Sequence, residues 1–188
     1  NIAFADSKVK EVCVSNWDTN GDGDLSYAEA AVVKSLGRAF KDNAGITTFN
    51  ELQYFTALEK ISGQAFYNCS SLTSVTLPPN VKVIDQNAFY ATGITSIELP
   101  ASVTTIADAA FNGNANLSSI TVSEGNTVYD SRNGCNGVIE TSTNTLVLGC
   151  KNTVIPDGVT IIGSSAFRGC TTLTSIIFPQ SVTAIGAN

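Results

Sequence analysis

The segment Cys69–Phe89, CSSLTSVTLPPNVKVIDQNAF, contains a pattern of apolar residues that recurs before and after it. Its order is Leu-x-x-Val-x-Leu-Pro, then Val-x-x-Ile, then an Ala-Phe pair. One such unit cannot bury its apolar face alone, whereas neighbouring copies that stack on each other can. The repetition therefore predicts a stacked array more firmly than any single motif predicts a function.

Later units fill the same positions with equivalent residues. The strand positions are Ile94, Ile97 and Leu99, then Leu117, Ile120 and Val122, then Leu173, Ile176 and Phe178. The Ala-Phe pairs end at Phe66, Phe89, Phe111 and Phe167. The first three of these phenylalanines are about 22 residues apart, which lies in the range of leucine-rich repeats. The interval before Phe167 is longer.

Each unit is expected to contain a short strand and a turn. Alternating apolar residues such as Val75 and Leu77 predict a strand with one face inward. Proline cannot donate to a strand ladder, and the prolines after these strands are expected to end them. The Ala-Phe pairs then predict a column of buried phenylalanine rings.

Over about residues 46–188, this pattern resembles the BspA-type leucine-rich repeats of bacterial surface proteins. The segment before it, together with FNELQYF at 49–55, resembles the leader that some members carry. The resemblance implies a secreted or surface-attached, non-catalytic protein-binding module that adheres to host proteins. The candidate partner is the host extracellular matrix. The final unit stops at Asn188 before its Ala-Phe pair, so we expect the chain to continue or a partner to cover this end.

The first 45 residues carry a different pattern. Ala5–Trp17 and Ser26–Lys41 are predicted helices, the second with apolar residues every four positions. The loop between them resembles an EF-hand calcium loop, with Gly23 at the sharp turn and Leu25 as the core anchor. Its expected Ca²⁺ ligands are Asp18, Asn20, Asp22, Asp24 (through its carbonyl), Ser26 and Glu29. A single loop favours a structural clamp, and a dockerin-like assembly module is the alternative.

An insert at about residues 123–153 interrupts the period. Gly137–Thr141 and Thr145–Gly149 are predicted to form a hairpin that either covers the solenoid or provides a binding edge. If Ser142 and Thr143 are the central turn residues, Cys135 and Cys150 face each other. The alternatives are a disulfide and two packed free thiols. Nearby Tyr129, Asp130 and Arg132 could serve recognition or be ordinary turn residues.

The composition excludes several function classes. A net charge of −6 argues against nucleic acid and against anionic membranes. No apolar run approaches the length of a membrane span, so no membrane insertion by this segment is expected. The absence of histidine removes the commonest general base. The carboxylates that a hydrolase could use are scattered over different turns, which leaves hydrolysis a remote third function.

The outward positions of the strands form two columns of mostly small polar residues. One column contains Ser74, Ser96, Ser119 and Ser175; the other contains Gln53, Thr76, Glu98, Thr121 and Ile177. These residues are either a flat platform for an extended protein ligand or an ordinary ladder of residues that suit a sheet. No aromatic cluster accompanies them, which argues against carbohydrate stacking.

The predicted fold class is an α+β repeat. Residues 1–45 are expected to form a helical EF-hand-like cap, and residues 46–188 a leucine-rich-repeat solenoid of short strands with one inserted β-hairpin.

Overall fold

The computed structural model describes residues 1–187, which form a solenoid of short strands with few helices. The expected continuation beyond Asn188 lies outside the described residues. The helices are α1 (Ser7–Trp17) and α2 (Tyr27–Ala31), with 3₁₀ turns at Asn50–Tyr54 and Arg132–Gly134. The strands are β1 (Thr48–Phe49), β2 (Lys60–Ile61), β3 (Ser74–Val75), β4 (Val83–Ile84), β5 (Ser96–Leu99), β6 (Thr105–Ile106), β7 (Ser119–Val122), β8 (Tyr129–Asp130), β9 (Gly137–Glu140), β10 (Thr145–Gly149), β11 (Ile161–Ile162) and β12 (Ala184–Ile185).

Each complete repeat contributes two strands, and the strands of successive repeats pair in parallel. The first strands pair as β1 with β3 and as β5 with β7. The second strands form the sheet β2-β4-β6, in which Ile61, Ile84 and Ile106 are in register. The predicted strands at these positions are confirmed, because the alternating residues place one side chain inward at each rung.

A column of phenylalanine rings runs through the core. Phe66 and Phe89 stack with centroids 5.1 Å apart, and Phe89 and Phe111 with centroids 5.3 Å apart. Phe40 extends the column by stacking on Phe66 at 5.4 Å. The predicted column is confirmed for Phe66, Phe89 and Phe111.

The prediction that Phe167 joins this column is wrong. The amide of Gly149 donates to the carbonyl of Ala166 at 2.8 Å, as the amide of Phe89 does to Ala110. Gly149 therefore occupies a phenylalanine position of the array without supplying a ring. The ring of Phe167 lies over Gly149, in the space that a Cβ there would need, and packs in a separate apolar cluster.

Helix α1 agrees with its prediction, and Asp6 is its N-cap. One carboxylate oxygen of Asp6 accepts hydrogen bonds from the amides of Lys8 and Val9, at 2.8 and 3.2 Å. These bonds satisfy two amides that have no partner within the helix.

The predicted second helix, Ser26–Lys41, is wrong after its first turn. Helix α2 ends at Ala31, whose carbonyl accepts a hydrogen bond from the amide of Ala57 in the repeats at 3.1 Å. Val33, Leu36 and Phe40 are still buried. They lie in the irregular and turn segments after α2 and not on one helical face. Phe40 thereby reaches the phenylalanine column.

The inserted hairpin is confirmed, and β9 pairs with β10 in the predicted antiparallel sense. Leu146 faces Ile139 as predicted, but an irregularity between Leu146 and Leu148 shifts the register by one residue. The register that opposed Cys135 to Cys150 is therefore wrong at that end of the hairpin.

The hairpin is built into the array, so neither predicted alternative, a cover or a binding edge, describes it completely. Strand β10 pairs in parallel with β11, within the sheet β12-β11-β10-β9-β8. The amide of Gly163 donates to Leu146 at 2.8 Å, as the amide of Ala107 donates to Ile84 at 2.8 Å. Strand β10 thus serves as the second strand of an extra rung.

No strand forms in the last unit at Ser175–Phe178, although the repeat pattern predicts one. The neighbouring segment, Thr153–Ile155, is not a strand either, because the amide of Val154 bonds the carbonyl of Cys135 in the insert. Residues 175–178 therefore have no ladder to join. Ile177 and Phe178 are 85% and 44% exposed.

Truncation of Phe89 tests the ring column. We expect Phe89→Ala to lower the free energy of unfolding by about 3–5 kcal/mol, because the ring is fully buried between two others. Phe178→Ala is the matched control, with an expected loss of about 1 kcal/mol or less at its half-exposed position. Equal losses in denaturant titrations would contradict the column as the main source of cohesion.

Candidate functional site

The outward face of the first strands carries a groove of about 470 Å³. It collects six of the nine residues proposed from the sequence as a ligand face: Ser74, Thr76, Ser96, Glu98, Ser119 and Thr121. They come together because odd and even positions of a strand point to opposite faces, and the inward positions of the same strands are apolar. Three successive repeats thus present their polar positions side by side.

The hydroxyl groups at the two ends of the groove are already engaged. Asn50 accepts hydrogen bonds from Ser74 and Thr76 at 2.9 and 3.1 Å. At the other end, the hydroxyl of Ser123 donates to Glu98 at 2.7 Å.

The middle of the groove has free hydrogen-bonding capacity. Within residues 1–187, the hydroxyls of Ser96, Ser119 and Thr121 have no hydrogen-bond partner in the protein. A hydroxyl both donates and accepts, so these three groups can each pair with an amide or a carbonyl of a ligand.

The three strands beneath the groove belong to two different sheets. Strands β3 and β5 belong to separate sheets, whereas β5 and β7 pair over four residues. The amide of Thr95 still donates to Thr73 at 3.2 Å, so the turns remain adjacent at the entry to these strands. Pro79 and Pro100 line the groove beyond the strands.

Three residues of the proposed face lie elsewhere. Gln53 is exposed on the 3₁₀ turn and donates to the carbonyl of Asn50 at 3.0 Å. Ser175 and Ile177 line a second groove of about 450 Å³ beside Val154 and Ile155. The insert separates them from the first groove, so the repeat columns are not continuous.

Sequence reasoning missed Ser123, which lines the groove, and Asn50, which accepts hydrogen bonds from two of its hydroxyls. Ser123 lies two positions after Thr121, so the same alternation could have identified it. Asn50 could not be found in this way, because it belongs to a turn that has no counterpart in the other repeats.

The acidic loop at 18–29 has backbone features of the predicted calcium loop. Gly21 and Gly23 adopt φ of 72° and 81°, which only glycine takes readily, and Leu25 is fully buried. The carboxylate of Asp18 accepts hydrogen bonds from these two glycine amides, at 2.7 and 2.9 Å.

Glu29 closes the loop through hydrogen bonds. One carboxylate oxygen accepts from the amide and hydroxyl of Thr19, both at 2.8 Å, and the other accepts from the amide and hydroxyl of Ser26 at 2.9 and 2.8 Å. The bond from the Ser26 amide, followed by those from Thr19, lowers the pKa of Glu29 to about 2.

The oxygen donors of this loop suit calcium, but in this structure the carboxylates form hydrogen bonds and an ion pair with other groups of the protein. Asp24 binds Lys10 and accepts from Asn1, which leaves its backbone carbonyl as the possible ligand. Across residues 1–187, no three carboxylate or thiol groups are gathered so as to hold a metal ion. Asp18, Asn20, Asp22, Ser26 and Glu29 would hold Ca²⁺ only after the carboxylates exchange their present hydrogen bonds for the ion.

The five cysteines are free thiols in this structure. Cys135 and Cys150 pack in different apolar clusters, and their thiols donate to the carbonyls of Gly137 and Asn136 at 3.4 and 3.3 Å. Burial raises the pKa of Cys69 to about 12 and that of Cys170 to about 11. These protonated thiols, buried for Cys69 and half-buried for Cys170, act as small packing side chains.

The polar residues of the insert have structural partners. Arg132 forms an ion pair with Asp130, and its guanidinium also donates to Asn144 at 3.0 Å in the hairpin turn. Burial acts to raise the pKa of Asp130, but the hydrogen bonds and charge of Arg132 lower it overall. Tyr129 is buried. These contacts, together with the pairing of Tyr129 with Glu140 between β8 and β9, explain the three residues as supports of the hairpin.

The comparisons with known proteins identify the repeats. A model of the BspA type leucine rich repeat region matches residues 38–145 and 139–188, in six copies. No curated protein sequence gives a significant match. Within residues 1–187, no helix has the length and apolar character that a membrane crossing requires.

Three solved structures are similar to the chain. A leucine rich cell surface protein of Faecalibacterium prausnitzii A2-165 has a TM-score of 0.60 and 28% identity, over 80% of this chain and 46% of that one. The pneumococcal vaccine antigen PcpA has a TM-score of 0.60 and 21% identity, over 70% of this chain and 34% of that one. A leucine-rich repeat protein of Eubacterium ventriosum ATCC 27560 has a TM-score of 0.50 and 22% identity, over 77% of this chain and 54% of that one. The last two show the fold alone, and the chain spans only 34% to 54% of these structures.

Protonation of Glu29 should release the acidic loop. Because its pKa is lower in the folded chain than its ordinary value of 4.5, its stabilisation is complete above pH 4.5 and is lost as the pH falls through about 2. We expect Glu29→Gln to melt below the wild type at pH 7, with a difference that shrinks towards pH 2. Glu11→Gln, at an exposed position of α1, is the control. A difference that does not change with pH would contradict this role.

Proposed function

The chain belongs to the BspA-type leucine-rich repeat family, and we propose that it is a protein-binding module of a secreted or surface-displayed bacterial protein. The similarity to a leucine rich cell surface protein supports the location. The observation that carries the binding role is the groove over β3, β5 and β7, where three hydroxyls that have no partner among residues 1–187 lie around an exposed carboxylate.

We propose components of the host extracellular matrix as the protein ligands. The groove has no aromatic lining on which a sugar ring could stack, and its hydroxyls suit the amides and carbonyls of a polypeptide. The negative net charge of −6 makes nucleic acid a poor ligand.

Substitution within the groove tests the binding face. The chain would be passed over a panel of purified extracellular-matrix glycoproteins in a surface-based affinity assay. For any that bind, Thr121→Arg should weaken affinity by about tenfold or more, because the large side chain fills the groove. Thr104→Arg, at an exposed position on another face, should leave affinity unchanged. If no matrix protein binds, the proposed partner class is wrong; if Thr121→Arg binds normally, the proposed face is wrong.

An assembly role, in which the first 45 residues plug into a partner, is supported by exposed apolar residues at the two ends of α2. Val32 is 67% exposed, and Tyr27 is 50% exposed. Deletion of this segment cannot test the role, because Val9 and Phe40 belong to the core shared with the repeats. In the same assay, loss of binding in Val32→Glu and not in Thr121→Arg would favour this second function.

We further propose that the acidic loop binds calcium as a structural ion. The support is the order of oxygen donors, the two left-handed glycines and the buried anchor Leu25. An ion that binds only the folded chain adds to its stability by mass action.

Calcium titration with thermal melting tests this site. We expect the melting temperature of the wild type to rise with calcium and that of Asp18→Ala not to respond. Asp24→Ala should respond as the wild type does, because Asp24 would bind the ion through its backbone carbonyl, which the substitution leaves in place. Equal responses from Asp18→Ala and the wild type, or no rise in the wild type, would contradict calcium binding.

A further inference from the structure

We propose that the groove over β3, β5 and β7 binds an extended peptide segment that places a basic side chain against Glu98. This inference rests on the proposed function and adds the chemistry of the ligand.

The first argument is charge. Among the described residues that line the groove, Glu98 is the only ionisable one. Some carboxylates elsewhere on the repeats are paired with cations, for example Glu59 with Lys82 and Asp85 with Lys60. Within the described part of the chain, Glu98 has no such partner, and its protein hydrogen bond comes from the neutral hydroxyl of Ser123. A ligand with a Lys or Arg side chain would supply the missing counterion.

The second argument is the hydrogen-bonding capacity on both sides of that carboxylate. Ser96 precedes Glu98 by one outward position on β5, and Ser119 and Thr121 occupy the matching positions on β7. Their hydroxyls can pair with backbone amides and carbonyls of any peptide, so they provide affinity with little dependence on sequence. Glu98 then provides the preference for one kind of side chain.

The third argument is size. Paired strands such as β5 and β7 lie about 4.8 Å apart, and the Thr95–Thr73 hydrogen bond holds the turn of β3 beside that of β5, so the three repeats of the groove span about 10 Å. An extended chain rises about 3.3 Å per residue, so about three or four residues cross it. Within the groove, β5 is paired to β7, so the ligand would meet side chains there and would not extend that ladder. Pro79 and Pro100 add apolar surface along the groove.

A peptide array provides the test. The probes are seven-residue peptide pools with randomised flanks and Arg, Lys, Gln or Glu at the centre, incubated with the whole chain. We expect the Arg and Lys pools to bind about tenfold more strongly than the Glu pool, with a preference that falls at high salt.

Two variants separate the groove from the general charge of the surface. Glu98→Gln should lose the preference for basic pools, whereas Glu124→Gln, an exposed carboxylate outside the groove lining, should keep it although it removes the same charge. Folding of both variants would be checked by thermal melting.

The outcomes distinguish the ligand chemistry from the proposed function. A wild type that binds every pool equally, or none of them, overturns the basic-peptide inference, as does a Glu98→Gln variant that keeps the preference. If a matrix protein still binds through the groove in those cases, the proposed function stands without this inference. If both assays show no binding, both proposals fail.

Discussion

A turn of this solenoid can bury its phenylalanine only if another turn lies on each side of it. The ring of Phe66 is covered by Phe40 on one side and by Phe89 on the other. Cohesion is therefore a property of contacts between neighbours, and the inward positions of every unit are constrained in the same way. The outward positions carry no such constraint, which is why a groove with its own chemistry can form over β3, β5 and β7.

The first 45 residues supply the initial neighbour of this column. Trp17 packs on Phe40 and on Phe55, with ring centroids 6.2 and 5.6 Å apart. The buried carboxylate of Asp6 joins α1 to the repeats by accepting from the amide and hydroxyl of Thr47, at 2.6 and 2.8 Å. Burial acts to raise the pKa of Asp6, but the bonds from Thr47, Val9 and Lys8 lower it overall. The segment thus closes the end of the array with aromatic rings and satisfied polar groups.

The regular part of the fold could be predicted from the sequence, because each repeat unit carries the same residues in the same order. The alternating apolar residues indicate the strand, the proline its end, and the Ala-Phe pair the buried ring. The deviations depend on contacts that no local pattern encodes. Helix α2 stops where the distant amide of Ala57 bonds Ala31, and the cysteine register changes at an irregularity near Leu146. The same applies to the candidate site: six residues of the face come together, but Ser175 and Ile177 are displaced because the insert occupies a rung.

The glycine at position 149 has a consequence for the dynamics of the molecule. Because it supplies no ring, the apolar interior is divided into one cluster that includes Phe40 to Phe111 and a smaller one around Ile139, Leu146 and Ile162. Proteins open locally in cooperative units that follow such divisions of their cores. We therefore expect the smaller cluster and the repeats after the insert to open as a unit of their own, so that their amides exchange with solvent while the phenylalanine column stays intact.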